Sequence, residues 1–171
     1  METPSEADLE IVAAQLGRTP RATRAIAHRC PCGNPDVVET APRLPDGTPF
    51  PTLFYLTCPH ATAACSRLES AGVMRDMQQR LSTDPELAER YEKAAEDYLA
   101  RRTAIEDVPE IAHVAAGGMP GRVKCLHVQL AHALAAGRGV NPFGDEVRDA
   151  IEPYWADGPC VNPNKSDKKD E

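Results

Sequence analysis

Aromatic side chains are scarce in this sequence: one Trp, three Phe and four Tyr among 171 residues. That excludes a core of stacked rings. Core volume must come from Leu, Val, Ile and many alanines, and such a composition favours helices because Ala and Leu are the best helix formers. Long apolar runs are missing too. None approaches the ~18 residues needed to cross a bilayer, and the opening METPSEADLE is acidic where a secretory leader would be basic and then apolar. No basic run offsets the net charge of −7, so the chain lacks the positive face that a nucleic-acid backbone requires. The acidic balance implies solubility and repulsion from anionic surfaces. Together these absences indicate a cytoplasmic protein with neither nucleic acid nor membrane as partner. Its length suits one domain with a moderate core.

Cysteine is what the sequence has instead. Six are present, and in a reducing compartment they are not expected to form disulfides. Metal binding, thiol chemistry or plain burial must account for them.

Helix and strand signals alternate in a simple order. Ser5 caps a helix to about Leu16, with Leu9, Val12 and Leu16 at helical spacing and Gly17 as its stop. Three segments with strand character follow, at Thr23–Arg29, Asp36–Arg43 and Thr52–Thr57. The connectors CPCGNP and LPDGTPFP are rich in the residues of hairpin turns, which predicts a three-stranded antiparallel meander. From Pro59 the pattern becomes helical: Ala61–Gly72, Val73–Leu81, and a long helix opened by Asp84-Pro85-Glu86 that runs to Ile105. The long helix carries a narrow stripe of Leu87, Tyr91, Ala94, Tyr98 and Ile105, with Glu86–Arg90, Glu89–Lys93 and Asp97–Arg101 spaced as ion pairs. After the break AAGGMP, helices are expected over Gly121–Ala136 and Glu146–Trp155, the second capped by Asp145 and Glu146 and sealed against the core by Tyr154 and Trp155. Residues 1–160 form the domain and 161–171 a disordered polar tail. The fold class is α+β, a small three-stranded antiparallel sheet covered by five or six helices.

In a three-strand meander the first turn and the end of the third strand share one end of the sheet. Cys30, Cys32 and Cys58 therefore converge, and a fourth Cys or His completes a tetrahedral zinc site. Candidates for the fourth position are His28, His60, Cys125, His127, His132 and Cys160. Helical geometry puts Cys125, Gln129 and His132 within roughly 60° of one face, making Cys125 and His132 the preferred pair. His127 falls among Val123, Leu126, Leu130 and Leu134 and reads as a core residue. Arg122 and Lys124, in the expected first turn of that helix, suit an anion. A four-thiolate iron–sulfur cluster is disfavoured because no standard cluster spacing is present. A thiol enzyme is the other class. It would use Cys125, activated by its position beside Lys124 and Arg122 and with His132 on its face, or the Cys30/Cys32 pair as a dithiol.

Three blocks, AHRCPCGNPDVVETAPRLPDGTPFPTLFYLTCP, GGMPGRVKCLHVQLAHALAAGRGVNPFGDE and GPCV, resemble the domain-of-unknown-function 501 family of actinobacteria. The resemblance implies a small cytoplasmic protein without an established activity. It also implies a gene context of cell division, the envelope or polyphosphate metabolism, from which a division- or polyphosphate-related partner follows. Carried over by position, the family pattern covers Cys30, Cys32, Cys58, Cys125, His127, His132 and Cys160 but not His60 or Cys65. Cys30, Cys32 and Cys58 with Cys125 or Cys160 become the natural tetrad. The leading expectation is a zinc-stabilised binding or regulatory domain rather than an enzyme. The alternative is a thiol-dependent enzyme whose phosphorylated substrate is held by Arg122 and Lys124.

Overall fold

The computed structural model describes residues 1–162; apart from its first two positions, the expected polar tail lies outside them. Over the described residues the chain is an α+β fold of one three-stranded antiparallel sheet and six α-helices. Its elements are α1 (Glu6–Leu16), β1 (Thr23–Arg29), β2 (Pro35–Thr40), β3 (Phe54–Leu56), α2 (Pro59–Ser70), α3 (Val73–Thr83), α4 (Pro85–Ile105), α5 (Leu126–Ala136) and α6 (Pro142–Ile151), with a short 3-10 turn at Pro109–Ile111.

The local signals act as their chemistry dictates. Ser5 and Asp8 form a reciprocal capping box on α1, and Gly17 ends the helix in the left-handed region. In the β2–β3 connector Gly47 takes φ 85°, and the Asp46 carboxylate accepts the Thr48 amide at 2.9 Å, so the PDG turn forms as predicted. β2 is the central strand. It pairs with β1 and with β3, where Val38 stands opposite Tyr55 and Val37 opposite Leu56. The outer edge of β1 is covered by the chain start, where Glu2 bridges to Ile26.

The sheet has two different faces. Val12 of α1 packs on Ile26 and Val38, with Tyr55 beside them. On the other face Val37, Phe54 and Leu56 join the main core with α2, α4, α5 and α6. Tyr98 locks α4 onto that face. Its ring meets Phe54 edge-on at 5.9 Å, and its hydroxyl accepts the Leu53 amide at 2.6 Å. The expected α4 stripe is buried at Leu87, Tyr91, Ala94 and Tyr98. Of the three expected ion pairs on this helix, Glu89–Lys93 and Asp97–Arg101 form at 2.7 Å each.

Both C-terminal helices differ from their sequence-based bounds. α5 starts at Leu126, not Gly121, because the preceding residues close into turns: Arg122 donates to the Gly118 carbonyl and Lys124 to that of Gly117, each at 2.8 Å. α6 starts at Pro142, four residues before the expected Glu146. Asn141 is its N-cap and accepts the Gly144 amide at 2.9 Å, and proline at the first helical position completes that start. The helix ends at Ile151 before Pro153, so Tyr154 and Trp155 belong to a turn beyond it rather than to a helix. Asp145 instead accepts the Gly139 amide, and Glu146 pairs with Arg80.

A buried polar chain ties α4, α5 and α6 together. Asn141 Nδ2 donates to Gln129 Oε1 at 2.8 Å and lies 3.2 Å from His132 Nδ1. Gln129 Nε2 donates to the Tyr91 hydroxyl, which donates to the Arg122 carbonyl. His132 Nε2 reaches Asp97 at 2.9 Å. Because one Asn side chain serves a helix cap and two buried partners, Asn141→Ala is expected to cost on the order of 2–4 kcal/mol in a denaturant titration, combining a lost cap with unsatisfied buried groups. Glu146→Ala, which removes an exposed ion pair, should cost under about 1 kcal/mol.

Candidate active site

Thr62, Ser66 and Glu69 recur at helical spacing on α2 and face the start of α5. Glu69 Oε1 accepts the Leu126 amide at 2.8 Å and lies 3.1 Å from His127 Nδ1. The carboxylate thereby occupies the anion position at the helix N-terminus. Cys125 is the residue just outside the helix, with φ −151° and ψ 112°, and its Sγ lies 3.8 Å from His127 Nδ1. His127 Nε2 lies 3.2 Å from the Thr62 carbonyl oxygen and 3.3 Å from Ser66 Oγ. A carbonyl and a carboxylate can only accept, so both ring nitrogens carry a proton: Nε2 donates to the Thr62 carbonyl, and Nδ1 is directed at Glu69 Oε1 and the Cys125 sulfur.

This arrangement favours charge separation. Burial pushes the Cys125 thiol up, but the His127 hydrogen bond, the Val128 amide and the imidazolium charge outweigh it and hold the thiol below its ordinary value. The Cys125 sulfur raises His127 to about 9 against the effect of burial, and Glu69 adds to the rise. Both residues are partly exposed. They open on a cleft of about 340 Å³, with Phe54, Tyr55 and Leu56 of β3 on one wall and Cys125, His127 and Val128 on the other. A second cleft of about 250 Å³, between Leu16, Arg18 and Tyr55 on the opposite face, contains neither thiol nor imidazole.

Among the described residues, Glu69, Cys125 and His127 are the set of metal-ligating side chains whose donor atoms all lie within 4.8 Å of one another. The remaining candidates divide differently from the expectation. His132 does not pair with Cys125. It is fully buried, stacks on Phe54 at 6.0 Å and bonds to Asp97 and Asn141, and burial lowers its pKa despite the Asp97 carboxylate. The helical-wheel argument fails because Cys125 is not helical. His127, assigned to the core by the same argument, is the residue the thiol meets. Arg122 and Lys124 are exposed on the turn before α5, away from the cleft lining, and Glu69 already satisfies the Leu126 amide. Glu69, Thr62 and Ser66 carry no sequence signal, since only the docking of α2 on α5 makes them neighbours. The C-x-H spacing of Cys125 and His127 was visible.

Four thiols gather at the turn end of the sheet, as two pairs. Cys32 donates its backbone amide to Cys30 Sγ at 3.4 Å, and the neighbouring Cys160 thiol, together with burial, pushes Cys58 up. Gln15 donates to Cys160 Sγ at 3.4 Å and Asn34, in the turn after Cys32, donates to the Val161 carbonyl, so the closing segment lies against that turn. His28 is turned to Asp36 at 2.8 Å. Cys125 and Cys65 belong to the other group: Cys65 is buried near Glu69 and Cys125, and burial raises its thiol to about 12.

Residues 26–149 match the family model described as a protein of unknown function, DUF501. The chain belongs to the DUF501 family. The match contains Glu69, Cys125 and His127 as well as Cys30, Cys32 and Cys58, while Cys160 lies beyond its end. No curated protein and no solved structure matches this DUF501 chain.

The effect of His127 on Cys125 has a direct readout in thiol reactivity. Alkylation of Cys125 by iodoacetamide, followed by peptide mass mapping, should reach half its plateau rate below pH ~8.5, the midpoint of an ordinary thiol. Because His127 lowers the thiol, His127→Phe should move that midpoint upward and slow alkylation at pH 7. A wild-type midpoint at or above the ordinary value would remove the thiolate–imidazolium pair.

Proposed function

We propose that this DUF501 protein is a thiol-dependent enzyme of acyl transfer or hydrolysis, with Cys125 as nucleophile and His127 as its acid–base partner. The observation that carries this reading is the thiol set against His127 Nδ1 at the mouth of a largely apolar cleft, with the other ring nitrogen held by the Thr62 carbonyl. This is the nucleophile, base and orienting group that covalent catalysis requires. The Cys125 thiolate attacks a carbonyl carbon, His127 passes its Nδ1 proton to the departing amine or alcohol, and a thioester forms. Water, deprotonated by His127, then cleaves the thioester and returns the thiol. Glu69 stabilises the imidazolium and fixes the ring. An uncharged acyl group suits the cleft better than a phosphorylated substrate, because its lining holds neither Lys nor Arg.

No helix among the described residues is long and apolar enough to cross a membrane. We assign the reaction to the cytoplasm because six free thiols need a reducing compartment.

A structural zinc ion at Cys30, Cys32, Cys58 and Cys160 is a second, compatible reading; among the described residues no three of these sulfurs lie within 4.8 Å of one another, so the ion would have to draw the two pairs together. It would anchor the closing segment and leave the chemistry to Cys125.

Turnover of p-nitrophenyl acetate tests the first reading. The wild type should carry an acetyl adduct on Cys125 by mass mapping, Cys125→Ser should abolish it, and His127→Ala should slow turnover by roughly 10²–10⁴. Cys65→Ser should leave turnover unchanged. An acetyl adduct absent from Cys125, or full turnover in Cys125→Ser, would refute the assignment. For the metal, untagged protein should hold about one zinc per chain and lose it in Cys58→Ser, as ligand loss requires. Folded protein without zinc removes the second reading.

A further inference from the structure

We propose that the substrate is an extended peptide, bound as an added strand on the free edge of β3 with its reacting carbonyl at Cys125. The inference rests on the thiol reading above and names its substrate class.

The sheet order is β1-β2-β3, so among the described residues β3 has a partner strand on one side only. Its register fixes which backbone groups are free. Thr40 donates to Leu53 and Thr57 to Asp36, so the hydrogen-bonded pairs are 40 with 53, 38 with 55 and 36 with 57. Phe54 and Leu56, opposite Glu39 and Val37, occupy the alternate positions, whose amides and carbonyls point away from β2. Tyr98 takes the Phe54 amide at 3.4 Å. The Phe54 carbonyl and both backbone groups of Leu56 have no protein partner among the described residues.

Those groups belong to buried residues, with Phe54 at 0% and Leu56 at 7% exposure, and buried backbone groups require a partner. The space beside them is the cleft itself. Tyr55 lines it together with Phe54 and Leu56. Neighbouring side chains of a strand point to opposite faces, so a cleft touching all three runs along the edge rather than over a face. A peptide backbone supplies the missing acceptor and donors at matching spacing, as in strand addition. The opposite edge of the sheet is met by Glu2 at Ile26; among the described residues the edge facing the thiol is the open one. Apart from His127, which is paired with Cys125 and Glu69, the lining carries no basic or acidic side chain, which selects uncharged side chains next to the reacting carbonyl.

The test compares acetyl-Val-Ala-Ala chloromethyl ketone, the same compound N-methylated at its backbone amides, and chloroacetamide, all scored by mass mapping of Cys125. The peptide ketone should modify Cys125 at least about tenfold faster than its N-methylated form, a difference worth one edge hydrogen bond. Hydrogen exchange at the Leu56 amide should be fast in the free protein and slow in the Cys125→Ser variant holding the parent peptide acetyl-Val-Ala-Ala amide. If all three reagents label Cys125 rapidly and N-methylation makes no difference, the peptide site is wrong and the thiol reading stands. If none labels it faster than a free thiol, both fall. A slowly exchanging Leu56 amide in the peptide-free monomer assigns the edge to a segment of the chain itself, and protection only in a dimer assigns it to a second copy. Either result overturns the proposal.

Discussion

The candidate site depends on one carboxylate. Glu69, at the end of α2, accepts the first amide of α5 and stands beside the first imidazole of that helix. A charge-assisted hydrogen bond of this kind is worth about 1.5–3 kcal/mol, less here because Glu69 is a quarter exposed. Its geometric effect exceeds its energy. It docks α2 on the start of α5, keeps His127 turned toward Cys125, and places a negative charge behind the imidazolium. The anion position at this helix terminus is taken by the Glu69 carboxylate itself. The thiol is therefore held below its ordinary value by a histidine two residues away, not by the basic residues that precede it.

Five residues further along α5, His132 has the opposite task. It is fully enclosed, its Nε2 turned to Asp97 and its Nδ1 to Asn141. Burial favours its neutral form, and that form needs one acceptor and one donor, which Asp97 and Asn141 supply. Asn141 passes the chain of hydrogen bonds to Gln129, Tyr91 and the turn before α5. That turn is held by Gly117, where an added Cβ would lie 2.7 Å from Gln129 Nε2. The network so fixes where α5 begins, and thereby where Cys125 stands. A satisfied buried network of this type rigidifies a core whose few aromatic rings could not do so alone.

The meander, the α1 and α4 starts and the grouping of elements were legible because each rests on local chemistry: Ser5 and Asp8, Asp84 and Pro85, Pro45-Asp46-Gly47. The start of α6 was equally local, in Asn141-Pro142, but the acidic pair that follows offered a competing cap. The start of α5 was not local at all. Gly121 to Lys124 could continue a helix by sequence, and only Tyr91, Gln78 and the glycine turn withdraw them from it. Once Cys125 was placed on the helix, wheel geometry sent it to His132 and sent His127 to the core. One misplaced boundary thus exchanged the roles of two histidines.

The two ends of the sheet separate two kinds of thiol. Cys160 is drawn down by the neighbouring Cys58 thiol against the effect of burial, with Gln15, Asn34 and the charge of His60 assisting, while Cys58 is pushed up. A low thiol pKa alone would make Cys160 a rival nucleophile. Its charge, however, is stabilised mainly by another thiol and by amides, and His60 adds only its charge; no hydrogen bond joins His60 to the sulfur among the described residues, so that imidazole is not placed to exchange a proton with it. Cys125 is stabilised by an imidazole whose proton can be given up and recovered. Acyl transfer needs that second property as much as the first. The same reasoning sets Cys65 aside: it lies near Cys125, but burial and the neighbouring negative charges keep it a thiol. Of the six cysteines, Cys125 alone combines a hydrogen-bonded imidazole with a place on the wall of the cleft along the open edge of β3.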